Sequence, residues 1–177
     1  MTNTQYNDPK APLTAVAGTW QLDTAASSVE LRTKAMWGLA KVKASFAAVG
    51  GGGTVSSDGT VSGALVFDAA SVDTGQAKRD AHLRTADFFD VAQYPTFEYA
   101  VTSATITPTG EATVSGTFTA HGQTRPLQVG GRVAGLGTDR LTVTVEADLD
   151  RSEWGIGWTK MGASLKNHVV VTAVFTR

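Results

Sequence analysis

Apolar and polar residues alternate along most of this chain with a period of two. In Ser28-Val29-Glu30-Leu31-Arg32-Thr33-Lys34, Val29, Leu31 and Thr33 share one face while Glu30, Arg32 and Lys34 share the other. Lys41 to Ala48 repeats the pattern, with Val42, Ala44 and Phe46 set against Lys41, Lys43 and Ser45. The cleanest run is Leu141, Val143, Val145, Ala147 and Leu149 against Thr142, Thr144, Glu146 and Asp148. Shorter runs start at Trp20 and at Thr60. Others carry Phe97-Tyr99-Val101, Val114-Gly116-Phe118-Ala120, Leu127-Val129 and His168 to Phe175. Together they predict about eight or nine strands at hairpin spacing. Gly50-Gly51-Gly52-Gly53 and His121-Gly122 read as turns between them. The long helical crossovers of a parallel sheet are missing, so the chain is all-β and antiparallel, a barrel or a sandwich.

One stretch breaks the rhythm. Arg79 to Pro95 reads RDAHLRTADFFDVAQYP. It is rich in Ala, Leu and Arg, and Thr85 is its one β-branched residue before Val91. A short helical insertion near residues 79–90 is predicted, ending before Pro95, whose ring disfavours helix at Tyr94.

Length changes the picture only by fixing one domain: 177 residues can bury a core or wrap a cavity. Residues 1–17 read as a flexible lead and residues 18–177 as the domain. The N-terminus lacks a basic start and an apolar run, so it is not a secretory signal, and a cytoplasmic location is expected. No segment approaches the roughly 20 apolar residues of a membrane-spanning helix. The net charge of −1, with no basic patch, gives no reason to expect nucleic acid. Without cysteine there is no disulfide, thiol catalysis or thiolate metal site.

Candidate chemistry is sparse. His82, His121 and His168 have no metal-ligand spacing, and no metal is expected. No Gly-x-Ser-x-Gly elbow is present. Asp148, Asp150 and Glu153 around Arg151 lack the spacing of a calcium loop and read as an Arg–carboxylate network. The large aromatics and methionines are more informative. Met36, Trp37, Trp154, Trp158 and Met161 fall in irregular segments, and Phe88 and Phe89 sit beside Tyr94. Aromatics gathered at the loops of a barrel line the mouth of an apolar pocket.

Four ordered blocks carry a family resemblance. Arg79-Asp80-Ala81-His82-Leu83-Arg84, then Asp87-Phe88-Phe89-Asp90-Val91 and Tyr94-Pro95, resembles the signature of the YceI-like, polyisoprenoid-binding proteins. Trp20-Gln21-Leu22-Asp23 with Ser27 and Ser28 is similar to that family's opening strand. Val114 to Gly122 with Thr124 to Leu127 resembles a later hairpin, and Asp150 to Ile156 an arginine-serine-acidic-aromatic-glycine block. The sequence departs from the family at Ala26 and Ala35, where histidines are common, which bears on head-group preference.

The resemblance implies a lipocalin-like, up-and-down antiparallel barrel of about eight strands around an apolar tunnel. It implies binding, storage or transport of an isoprenoid-type lipid, a quinone or a polyprenyl chain, with no catalytic residue and no other cofactor. The expected cavity wall is Met36, Trp37, Phe46, Leu83, Phe88, Phe89, Phe97, Tyr99, Phe118, Trp154 and Trp158. Arg79, Asp80, His82 and Asp87 are expected to tie the helical segment down as a clasp. A homodimer is compatible with the resemblance. Burying one isoprene unit is worth roughly 4 kcal/mol gross, so a few units give roughly micromolar binding after ordering costs. Two rivals remain: an enzyme using the same cavity with His82, Glu98 and Lys160 as polar groups, and a partner-binding β module with a filled core.

Overall fold

A computed structural model describes residues 11–177. Ten strands form one antiparallel sheet. They are β1 (Gly18–Leu22), β2 (Ser28–Ala35), β3 (Ala40–Phe46), β4 (Ala48–Val55), β5 (Val61–Asp68), β6 (Thr96–Ile106), β7 (Glu111–Ala120), β8 (Gln123–Ala134), β9 (Arg140–Asp150) and β10 (Lys166–Thr176). β4 to β10 follow one another in space, β1 joins β4, and β1 also pairs with β10, which closes an eight-stranded ring. The β2–β3 hairpin continues from the same edge of β10, with Val169 opposite Leu31 and Val171 opposite Val29. β1 with β2, and β3 with β4, are therefore two long strands broken by bends, and the barrel splays where they bend.

The helical insertion fills the splay. Along the edge of β3 away from β2, strand pairing is replaced by a single bridge between Ser45 and Asp73. From there the chain enters α2 (Ala77–Leu83) and continues in hydrogen-bonded turns to Tyr94. Both the barrel and this excursion match the sequence expectation.

Inward residues follow the period-two pattern, and two clusters divide the interior. Val29, Ala44, Phe46, Phe67 and Val72 gather at the splayed end. Leu13, Val16, Trp20, Ile106, Ala112, Val133 and Leu141 close the opposite end. A bulge between Val101 and Ser103 shifts the register of β6, so Ala104 and Ile106 face inward after Tyr99 and Val101.

Two expectations are corrected here. The flexible lead is wrong for its last part. A short helix α1 (Ala11–Thr14) leads into Leu13 and Val16, which are buried against Trp20, and Trp20 Nε1 donates to the Val16 carbonyl at 2.9 Å. Apolar side chains stopper the barrel because its end would otherwise expose its core to water. Residues 1–10 of the lead lie outside the described residues.

The glycine run is not a turn either; Gly50 to Gly53 lie within β4. Its neighbours approach so closely that a Cβ at Gly52 would meet the Trp20 carbonyl oxygen at 2.5 Å, and one at Gly53 the Ser62 carbonyl oxygen at 2.5 Å. Close backbone approach, not turn chemistry, selects glycine there. Gly52→Ala is expected to destabilise the protein by about 1–3 kcal/mol, read as a lower urea midpoint; an unchanged midpoint would refute the crowding argument.

Candidate functional site

The splayed end encloses a cavity of about 660 Å³, inside the roughly 300–1,000 Å³ range of ligand pockets. Alternating inward residues of the strands make its wall, and α2 with the turns after it makes one side. Ten of the expected residues line it: Met36, Phe46, Leu83, Phe88, Phe89, Phe97, Tyr99, Phe118, Trp154 and Trp158. Trp37 does not. It lies at the tip of the β2–β3 hairpin and is 80% exposed, so its place in the wall is corrected. The physical reason is local: Met36 and Trp37 both adopt left-handed backbone, which breaks the strand alternation after Ala35.

The aromatics form a connected wall. Phe46, Phe89 and Phe97 meet edge to face, with centroids 5.3–5.7 Å apart. Phe97 continues to Phe118 at 6.2 Å, and Phe118 to Trp154 at 5.4 Å. A second group, Phe88, His82 and Trp158, touch one another at 4.8–5.2 Å. The adjacent Phe88 and Phe89, with centroids 6.5 Å apart, therefore join the insertion to both groups of rings.

Tyr99 stands at the floor. Its hydroxyl donates to the carbonyls of Leu127 at 2.8 Å and Val114 at 3.2 Å. Burial pushes its pKa above the ordinary phenol value, so it stays a donor. Below it lies a second void of about 160 Å³ lined by Leu13, Val16 and Trp20. Leu65, Tyr99, Val129, Val145 and Val171 line both voids and separate them.

The clasp is built of hydrogen bonds around Thr74. Asp80, buried, accepts from the Thr74 amide at 2.9 Å and its hydroxyl at 2.5 Å. Arg79 Nε donates to the Thr74 hydroxyl at 2.8 Å and Nη2 to its carbonyl at 3.1 Å. His82 Nε2 lies 2.8 Å from Asp87 Oδ2. Arg79 and His82 also reach the cavity, whereas Asp80 and Asp87 do not line it.

Two arginines outside the expected site residues hold the insertion and the opening through backbone carbonyls. Arg84 donates to the carbonyls of Ala70 at 2.8 Å and Val72 at 3.2 Å, tying α2 to the loop before it. Arg151 donates to the carbonyls of Ile156 at 2.7 Å, Trp158 at 2.5 Å and Ser164 at 3.1 Å, and lies 5.2 Å over the Phe88 ring. The expected Arg–carboxylate network is corrected accordingly: Arg151 gathers carbonyls. Burial lowers its pKa and Asp150 partly opposes that.

Asp150 instead accepts from the Ser152 hydroxyl at 2.5 Å and amide at 3.0 Å, and pairs with Lys166 at 3.2 Å. The Ser152 hydroxyl, then its amide, then Lys166 hold this carboxyl below its ordinary range. The folded state thus gains stability from ionised Asp150 above the unfolded carboxylate pKa of about 3.9, and loses it as pH falls through the lower folded value. Asp150→Asn is expected to flatten the acid limb of the stability–pH curve; a limb of unchanged slope would remove Asp150 from it.

The polar groups of the enzyme reading are not assembled. His82 and Lys160 border the cavity, but Glu98 is exposed and does not line it. Among the described residues no three His, Asp or Glu side chains are placed to hold a metal ion, and no helix is long and apolar enough to cross a membrane.

With this geometry in view, the chain can be set beside known proteins. A UPF0312 protein of Vibrio cholerae is 38% identical over 72 residues, which cover 41% of this chain and 38% of that protein. One from Ectopseudomonas mendocina is 37% identical over 75 residues, 42% of this chain and 39% of its own. The chain thus spans well under half the length of these curated relatives. Among solved structures, Burkholderia cenocepacia BcnA superposes with a TM-score of 0.74 at 20% identity, covering 86% of this chain and 98% of that one. A polyisoprenoid binding domain from Saccharophagus degradans, implicated in plant cell wall breakdown, superposes with a TM-score of 0.68 at 19% identity, covering 89% and 97%. These likenesses speak for the barrel. The pattern of the YceI-like domain extends over residues 20–176, from the first strand to the last, and the chain belongs to the YceI-like domain family.

Proposed function

We propose that this chain binds an apolar isoprenoid-type lipid, a quinone or a polyprenyl chain, inside the barrel and stores or transports it without chemistry. The observation that carries this is the cavity of about 660 Å³ with its connected aromatic wall. A void of that size, walled mainly by Leu, Val, Phe and Trp, suits a hydrocarbon. Family membership and the polyisoprenoid-binding neighbour point the same way.

Polarity along the cavity orients the ligand. Lys34 and Lys160 border it close in sequence to the exposed Met36 and Met161, and Lys78, Arg79 and His82 border it from α2, so the head group sits at this rim. The tail runs inward toward Leu65 and Tyr99. Ala35, where the family often has histidine, lines the cavity, whereas Ala26 does not. Head-group contacts here therefore come from the lysines and His82.

The filled-barrel rival is disfavoured by the void itself, and the enzyme rival by the outlying Glu98. Native mass spectrometry with organic extraction tests the proposal. A co-purified isoprenoid, or uptake of added quinone or polyprenol near one per chain, is expected. A bare protein mass with no uptake of either would overturn it.

A further inference from the structure

The β2–β3 hairpin and the segment Lys160–Gly162 meet beside the cavity opening and form a lip. Its apolar side chains face water: Met36, Trp37, Leu39 and Met161 are all more than half exposed. Three of the five non-glycine residues with left-handed backbone among the described residues are here, Met36, Trp37 and Met161. Gly162 packs directly on Trp37, where a Cβ would meet the indole at 2.7 Å. The tip is thus held in an uncommon conformation that displays large apolar groups to solvent, which a purely structural hairpin has no reason to do.

The charge beneath the tip is one-sided. Arg32, Lys34, Lys41 and Lys43 occupy the outer face of the hairpin against the single carboxylate of Glu30. Glu30 pairs with Arg32 at 2.6 Å and Lys43 at 2.8 Å. Lys34 and Lys41 stand directly opposite each other, an unfavourable like-charge pair, and neither they nor Lys160 has an ion pair among the described residues.

We infer that this lip docks on an anionic lipid bilayer, with Trp37, Leu39 and Met161 entering the interface and the lysines meeting the headgroups. An exposed tryptophan beside aliphatic side chains, backed by unpaired lysines, is the chemistry of an interfacial anchor. A second copy of the chain fits less well. An isologous contact through the lip would bring the same cations together. Docking there would set the opening of the cavity against the membrane, which gives the lip its purpose under the carrier function proposed above, although the docking itself needs no ligand.

The test separates the two. Co-sedimentation is measured with phosphatidylcholine vesicles, with and without about 30% phosphatidylglycerol. Binding to the anionic vesicles is expected, weakening as salt shortens the screening length. Trp37→Ser with Leu39→Ser should weaken it by about tenfold or more, and Lys41→Glu should weaken it on anionic vesicles by about fivefold or more. None of these residues lines the cavity, so uptake of a short-chain quinone from detergent should stay at the wild-type level, which also reports an intact fold. Wild-type protein that ignores anionic vesicles, or a serine double variant that binds them equally well, overturns the inference whatever the uptake shows. Failed uptake with intact docking instead removes the carrier function and leaves the lip. Sedimentation velocity gives the last arm: a dimer converted to monomer by the serine double variant would assign the lip to a second copy and overturn membrane docking.

Discussion

Replacing Arg151 with methionine is expected to lower stability by about 3–5 kcal/mol and Tm by roughly 6–20 °C. The guanidinium holds three carbonyls that belong to one long connection between β9 and β10: Ile156, Trp158 and Ser164. Hydrogen bonds to a charged donor contribute about 1.5–3 kcal/mol each, and half-burial tempers the sum because water can replace part of the loss. Methionine fills similar space and keeps contact with Phe88, so the change isolates the donors. Lysine should fail nearly as badly, since a single ammonium cannot span three carbonyls as the planar fork does. Because Trp158 touches both His82 and Phe88, the damage should spread to the clasp, and quinone uptake should fall with stability. Thermal unfolding of both variants decides it; a Tm within about 2 °C of wild type for either would mean that these carbonyls find other donors cheaply.

The fold was legible because its dominant signal is local. Alternation in β2, β3, β9 and β10 states which side chains face inward, and the missing helical crossovers state that neighbours are antiparallel. The turn at His121-Gly122 was legible for the same reason: two left-handed residues, φ 51° and 72°, join β7 to β8. The glycine run was not. Four glycines carry turn chemistry in any sequence, and only the closeness of Trp20 and Ser62 reveals a strand. Leu13 and Val16 were equally silent, since two apolar residues three apart make no periodic pattern. Their burial is decided by a barrel end that forms only when strands distant in sequence come together.

The cavity wall was legible in composition and illegible in pose. Aromatics outside the strand pattern marked the opening: Phe88, Phe89, Trp154 and Trp158 line it, and Phe46, Phe97, Tyr99 and Phe118 join them from the strands. Met36 and Trp37 are adjacent, yet one borders the cavity and the other faces water, because left-handed backbone at both positions resets the side-chain directions. Arg151 shows the same limit. Its neighbours Asp150 and Glu153 suggested carboxylate partners, but its hydrogen bonds go to carbonyls up to thirteen residues away. Nothing in residue type signals a carbonyl.

Ala147→Trp is expected to weaken lipid uptake by about tenfold or more, while Tm moves by only a few degrees. Ala147 lies on β9 opposite Val169 of β10 and lines the cavity between Val145 and Leu149. Inserting an indole into a filled core forces off-rotamer side chains and costs about 1–3 kcal/mol. Here the indole has a void to enter, and it gains apolar contacts there while taking the ligand's space. Asp148→Trp is the control. It adds the same ring one residue along, and the two-residue period of a strand turns it to the outer face, where Asp148 is exposed beside His168. Titration with a quinone should therefore separate the neighbours cleanly. Lost uptake in the first and retained uptake in the second would place the ligand within the barrel. Equal, undiminished uptake in both would move the binding site off the cavity, and the void would need another explanation.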